Sequence, residues 1–267
     1  MSQATLLDIA KLNGNDAVVG LIEENLTYAP ELAVIPSRTI RGTSYRTMLR
    51  TAYPDVAFRN ANEGSTPGKS TFINKLVECF ILSSNIVCDK AVADAYEDGA
   101  VSWQAIEASG VMKQAMIEIG SQIFYGTSVD AKGFPGLQAM VDSALTLDAG
   151  GTTAATASSV YGVKFGPQAV QLVFGGNAAF QLSGWSEQLI SNINSYVAPM
   201  SSWVGLQAVN KNSILRLKDV TADATRGATD AKLAELLSLA PAGMVPDYWF
   251  MSRRSRFQLQ ASRTATT

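Results

Sequence analysis

Histidine is absent from all 267 residues. That absence removes Ser-His-Asp and Cys-His nucleophile arrangements, the usual zinc and haem ligands, and the commonest general base at neutral pH. A carboxylate enzyme stays open, since two Asp or Glu side chains in a cleft can do acid and base work. Nothing distinguishes such a pair among the 23 acids. Cysteine is nearly absent too. Cys79 and Cys88 fall in LVECFILSSNIVC, which reads as buried strand, so two reduced core thiols are expected and no disulfide framework. The start of the chain lacks a basic segment followed by a long apolar one, and no run approaches the roughly 18 apolar residues of a membrane span. The expectation is a protein made and kept in the cytoplasm, on which the Asn25-Leu26-Thr27 sequon carries no meaning.

Charge is also scarce, at 16% of residues against about 25% in an average soluble domain, while the apolar share of 47% is ordinary. A surface so thin in charge is expected to be covered in part by partners, which favours an oligomer. The net charge of -2 and pI near 5.3 give no global attraction to nucleic acid or anionic lipid.

The charge that is present is segregated. Residues 1–31 carry Asp8, Asp16, Glu23, Glu24 and Glu31 against Lys11 alone and read as an acidic, partly helical arm. Residues 32–54 contain no acid, yet Arg38, Arg41, Arg46 and Arg50 stand in the β-prone stretch RTIRGTSYRTMLRTAY. Solvated faces alone can produce such a pattern. The sharper reading is electrostatic matching between neighbouring copies, which sets register more than affinity. It makes Arg38, Arg41, Arg46, Arg50, Glu23, Glu24 and Glu31 the candidate inter-subunit contacts. NANEGSTPGKST is an exposed turn, and FINKLVECFILSSNIVCDKAVADAY resumes as extended structure. Residues 32 to about 80 therefore read as a long two-stranded ribbon with a flexible tip. A bare ribbon has no core and exposes unpaired edges, so it should lie on something else.

Farther on, Ala105, Ala108, Met112, Ala115, Met116, Ile119 and Ile123 recur at spacings of three and four, which predicts a helix from Ser102 as cap to Gly126 as stop. Gly110 and Gly120 weaken it, so packing must hold it. VYGVKFG, AVQLVFGG, SSWVGLQAV and SILRLKDV predict a β-rich middle. The last part predicts a helix at DAKLAELLSLA capped by Thr229, a short buried strand at DYWFMS, and a helix at SRRSRFQLQAS.

Two motifs invite functional readings. Gly64-Ser65-Thr66-Pro67-Gly68-Lys69-Ser70-Thr71 looks like a phosphate-binding loop, but it is one residue short between the glycines. Pro67 also removes a donor, and STFIN continues as strand, so the hairpin-tip reading is favoured. Arg253, Arg254, Arg256 and Arg263 lack interleaved aromatics and fit a solvated face or an interface better than a nucleic-acid site.

The order of these segments, with IFYGTSVDAKGFPGLQAMV, SSVYGVKFGPQAVQLVFGG, SWVGLQAVNKNSILRLKDV and TDAKLAELLSLAP followed by DYWFMSRRSRFQLQAS, resembles the tailed-bacteriophage major capsid proteins of the Hong Kong 97-type fold. The likeness spans essentially the whole chain. It implies an α+β fold with an N-terminal arm (1–31), an extended loop (32–80), a peripheral domain (81–135) whose spine helix is 101–125, and an axial domain (136–267) with a β insertion at about 158–220. Members usually continue with a strand that returns to the peripheral domain, whereas this sequence stops at ASRTATT. Some weld their shells through a Lys-Asn bond, but no local motif assigns Lys69 a partner.

The resemblance implies a structural subunit of an icosahedral shell around phage double-stranded DNA, with no catalytic, cofactor or metal residues. It implies self-association into pentamers and hexamers, contacts with portal, scaffold and decoration proteins, weak non-specific contact with packaged DNA, and no membrane partner. The virion capsid, assembled in the host bacterial cytoplasm, is the implied location. Changing Arg38, Arg41, Arg46 and Arg50 together to Glu should leave the subunit foldable but block assembly. The rival readings are a soluble carboxylate-dependent hydrolase with an accessory β domain, and a nucleic-acid scaffold with steep salt dependence.

Overall fold

The structure is a computed structural model that describes residues 8, 11, 13, 29–152, 156–176 and 178–263. Among these, the segment expected as one ribbon is divided. Ser37–Thr39 forms β1, which pairs in parallel with Leu172–Phe174 in the body of the molecule. The chain then bends at residues 41–43, where Gly42 O accepts from Gly176 N at 3.3 Å. The ribbon starts only at β2 (Ser44–Ala52), which pairs antiparallel with β3 (Thr71–Glu78) as an isolated two-stranded ladder. Alternation decides its faces: Tyr45, Thr47 and Leu49 are half-buried on one side, and Arg46, Met48 and Arg50 are exposed on the other. The Gly-Lys-Ser tip is exposed loop running straight into β3, as the hairpin-tip reading requires.

β4 (Phe80–Asp89) follows and ends where the Asp89 carboxylate accepts from Ala91 N at 2.9 Å, capping the short helix α1 (Lys90–Asp94). The stretch KAVAD, expected to be extended, is helical for that reason. The spine helix α2 (Ala100–Tyr125) begins after Gly99, not at Ser102, whose hydroxyl instead donates to Asp98 O. Its buried stripe runs through Trp103, Ala115, Ile119 and Ile123, while Ala105 and Met116 of the expected face are exposed. At the start of the helix the burial is carried instead by Trp103, whose indole fills a cluster with Cys88, Ala93 and Trp185. Gly126 ends the helix at φ +57, and a side chain there would collide with Gly136 N, which explains glycine at both positions.

After α3 (Leu137–Met140), β5 (Thr146–Asp148), β6 (Ser158–Val163), β7 (Val170–Phe174), β8 (Gln181–Leu182), β9 (Ser186–Ile190), β10 (Ile193–Ala208) and β11 (Ile214–Val220) build the β-rich middle. These strands are shared between two sheets. One has the order β1-β7-β10-β4, with β8 and β9 also on β10; the other combines β5, β6 and β11 with β12 (Tyr248–Phe250). The β10 strand pairs with β4 through ten register positions, from Ser195 opposite Asp89 to Val204 opposite Phe80. The main core joins Ile119, Ile123, Phe134 and Leu137 to Val163, Val170, Leu172 and Leu206. A second core packs α4 (Asp230–Ser238) on Val160, Leu215 and Leu217, with Thr229 capping α4 as expected. The strand β12 is an edge strand with Tyr248 exposed, so the stretch expected to be buried is only half so. α5 (Arg253–Ser262) follows, capped by Ser252. Cys79 and Cys88 are free and buried, and burial pushes the Cys88 thiol up to about 11.

Candidate assembly interface

The outer face of the ribbon mixes cations and apolar groups. Arg46 stands opposite Leu76, Met48 opposite Asn74, and Arg50 opposite Phe72. Met48, Phe72 and Leu76 are all exposed. The Arg50 guanidinium lies over the Phe72 ring at 5.3 Å and the Tyr53 ring at 5.6 Å, which fixes a flat cationic surface. Among the described residues none of Arg38, Arg41, Arg46 and Arg50 has an ion-pair partner. Apolar area and unneutralised positive charge on one free surface are what an interface with an acidic, partly apolar partner requires.

The ribbon's root is rigid. The Tyr45 hydroxyl donates to Gln207 Oε1, Gln171 Nε2 donates to the same oxygen at 2.7 Å, and Gln207 Nε2 donates to Pro167 O at 2.7 Å. Burial raises the Tyr45 pKa, so the phenol remains a donor. Lys75 Nζ reaches Ala208 O at 3.3 Å, and the Arg38 guanidinium covers the Tyr45 ring at 5.0 Å. Gly205 lets Glu78 O come so close to β10 that no Cβ would fit. Below, Val77, Cys79, Val173 and Val209 form a small core against Tyr45, Leu49 and Trp203.

The sequence-predicted contacts are thus dispersed. Arg46 and Arg50 share the outer face, Arg41 sits in the exposed bend, and Arg38 lies on β1 against Tyr45, on the opposite side of the ribbon. Glu31 is half-buried, and its carboxylate lies so close to Gly120 of α2 that a side chain there would collide with it. Glu23 and Glu24 lie outside the described residues. Asn13 of the arm clasps the loop before α2, donating to Ala95 O at 3.1 Å and accepting from Glu97 N at 3.0 Å. Sequence reasoning missed the apolar partners Phe72, Leu76, Val56 and Phe58. It also missed the Tyr45-Gln207-Gln171 network, whose signal was a glutamine inside each of two apolar strands, AVQLVF and VGLQAV.

Two hollows flank α2. One, of about 430 Å³, is lined by aromatics including Phe124, Tyr161, Trp249 and Phe250. The other, of about 320 Å³, lies between α2 and β4. The acid pushed up in pKa, Glu107, owes this first to burial and then to the charge of Asp8. Neither residue lines either hollow. No group of three or more His, Cys, Asp or Glu among the described residues has metal-site geometry. Arg254 is tied to Thr156 O at 3.1 Å and Val220 O at 3.3 Å, so it acts as a brace within the fold.

Known structures share this architecture. A chain of the cryo-EM structure of bacteriophage Epsilon15 superposes with a TM-score of 0.75 at 16% identity, covering 100% of this chain and 88% of that one. The capsid of the native GTA particle gives 0.57 at 9% identity, over 78% of this chain and 95% of that one. The SrpI encapsulin of Synechococcus elongatus PCC 7942 gives 0.56 at 8% identity, over 83% and 97%. No curated protein matches the sequence significantly. The likeness defines the class as the α+β, Hong Kong 97-type fold of phage capsids. The family model of major capsid protein GP7 matches residues 17–240, and the chain belongs to that family. It is therefore a structural subunit of a bacteriophage capsid, built to associate with copies of itself.

Proposed function

We propose that copies of this chain close into an icosahedral shell around phage double-stranded DNA, meeting through heterologous contacts in rings of five and six. The observation that carries the geometry is the free outer face of the ribbon, where Arg46 and Arg50 stand among exposed Met48, Phe72 and Leu76. Such a face lies over a neighbouring copy, and many weak contacts of this kind add up around a closed shell. The arm (1–31) and loop (32–80) clasp neighbours. The peripheral (81–135) and axial (136–267) parts, with strands at 158–220, form one tile through the β4-β10 ladder. Portal, scaffold and decoration proteins are the expected further partners, with assembly in the host bacterial cytoplasm and weak contact with packaged DNA on the inner surface. The chain's role involves no catalysis, cofactor or membrane.

Placement of the arginines sharpens the test. Arg46→Glu with Arg50→Glu, both on the free face, should leave a folded subunit that forms no particles by negative-stain microscopy and size-exclusion chromatography. Normal particles from that variant would remove the ribbon from the assembly mechanism. Arg38→Glu should act differently, by loosening the ribbon's root at Tyr45.

A further inference from the structure

The hollow of about 430 Å³ lies where three parts of the molecule meet: the root of the arm at Pro30 and Glu31, the last turn of α2 at Phe124 and Tyr125, and the edge strand β12. Ring surface from Phe124, Tyr161, Trp249 and Phe250 makes up much of its wall. Two polar groups in this lining lack a partner. Tyr161 is 3% exposed, and its hydroxyl is buried without a hydrogen bond among the described residues. Ser159 and Tyr125, which line the hollow too, stand beside that phenol and place it at the hollow. A buried polar group left unpaired is costly, and the open side is where a partner can arrive. Glu31 is half-buried, and among the described residues its carboxylate has no ion-pair partner. Helix α2 makes room for that carboxylate. A mid-helix glycine costs about 1 kcal/mol relative to alanine, and at Gly120 a Cβ would meet Glu31 Oε1 and Ala29 Cβ. The helix gives up stability to seat an unpaired acid at the wall of an aromatic hollow.

A carboxylate, a phenol oxygen and ring faces around one space are the complement of an organic cation. Its N–H groups donate to the two oxygens, and its charge and carbon stem rest on the rings. An inorganic cation fits worse, because so apolar a wall cannot replace its water, and Glu31 disfavours an anion. Arg216 lies over the Tyr161 ring at 5.7 Å but is outside the lining; its guanidinium donates to Ser159 Oγ at 3.1 and 3.2 Å and does not pair with Glu31. We propose that this hollow binds a small organic cation, an alkylammonium, with its head between Glu31 and the Tyr161 hydroxyl and its stem on the aromatic wall. Bound there, it is a structural ligand that ties the root of the arm to α2 and β12. The site stands apart from the ribbon, so its failure leaves the shell reading in place.

Trp249 in the wall supplies the test. Unassembled subunits titrated with n-butylammonium at constant ionic strength should show a saturable change in tryptophan fluorescence and a raised Tm. The fluorescence change should disappear in Trp249→Phe. Neutral n-butanol, of the same shape, should bind about tenfold more weakly or worse, and Glu31→Gln should weaken n-butylammonium by about the same factor. Tyr161→Phe, which removes only the unpaired hydroxyl, should weaken it as well. The comparison with n-butanol needs no variant, so the outcome does not depend on any variant's folding. No saturable response, or an equal response to the alcohol, overturns the site. In assembled particles the same probe should still bind; saturation in subunits but none in particles would mean that a neighbouring chain fills the hollow, and would overturn the assignment of a free cation.

Discussion

Tyr45 ties the ribbon to the body through one hydrogen bond and one ring contact, and Gln207 holds that arrangement together. Gln207→Ala strips Tyr45, Gln171 and Pro167 O of their shared partner, so it should cost about 1–3 kcal/mol, measured by urea denaturation of unassembled subunits. Tyr45→Phe leaves the Gln171 bond in place and should cost less. Glu107 makes a prediction of opposite sign. Its folded-state pKa is raised by burial and by Asp8, so the folded state favours the protonated acid. Its contribution is favourable below the ordinary carboxylate range and is lost as pH rises through the raised value. Glu107→Gln should therefore stabilise the subunit at neutral pH, with the gain vanishing in acid; equal effects at both pH values would refute this. Asp142 behaves the other way: the hydrogen bond from Lys211 lowers its pKa, so its contribution is present at neutral pH and lost in acid. Few of these residue-level facts are legible in the sequence. Arg38 and Arg46 look equivalent there, because the bend at 41–43 that sends them to different sheets depends on a contact with Gly176, far along the chain.

At the scale of elements the sequence is more informative where order is local. The alternation in 44–52 specifies a two-faced strand, and the three-and-four spacing specifies a long helix, because both periods are written in consecutive residues. Thr229 and Gly126 mark helix ends correctly because each acts within a turn of its own position. At the start of the helix the buried residue is Trp103, which packs against Trp185, far along the chain in the loop before β9, a non-local contact that spacing does not announce. The β4-β10 ladder pairs residues about a hundred positions apart, and no local pattern announces its register. Gly126 tests how tightly the end of the spine helix is built. Gly126→Ala needs a left-handed backbone and meets Gly136, so it should cost at least about 1–3 kcal/mol, seen as a lowered Tm of the subunit. Gly110→Ala, with open space around it, should instead stabilise the helix by about 0.5–1 kcal/mol.

For the whole molecule, low charge, a free ribbon and a tile with unpaired edges fit one logic. Area that a monomer would have to shield is left for neighbours to cover. The same logic explains why residues exposed in one subunit, such as Phe58 and Met48, are not errors of the sequence. The absence of histidine was legible at once and removed the histidine-dependent chemistries, whereas the apolar half of the interface was not legible, because exposure is a property of the folded chain. The central claim is that the ribbon completes itself on a second copy. Cryo-electron microscopy of particles assembled from this chain tests it most directly. The account predicts closed shells in which density for residues 44–78 lies across the adjacent subunit; shells in which the ribbon folds back on its own subunit, or a chain that never leaves the monomer, would contradict it.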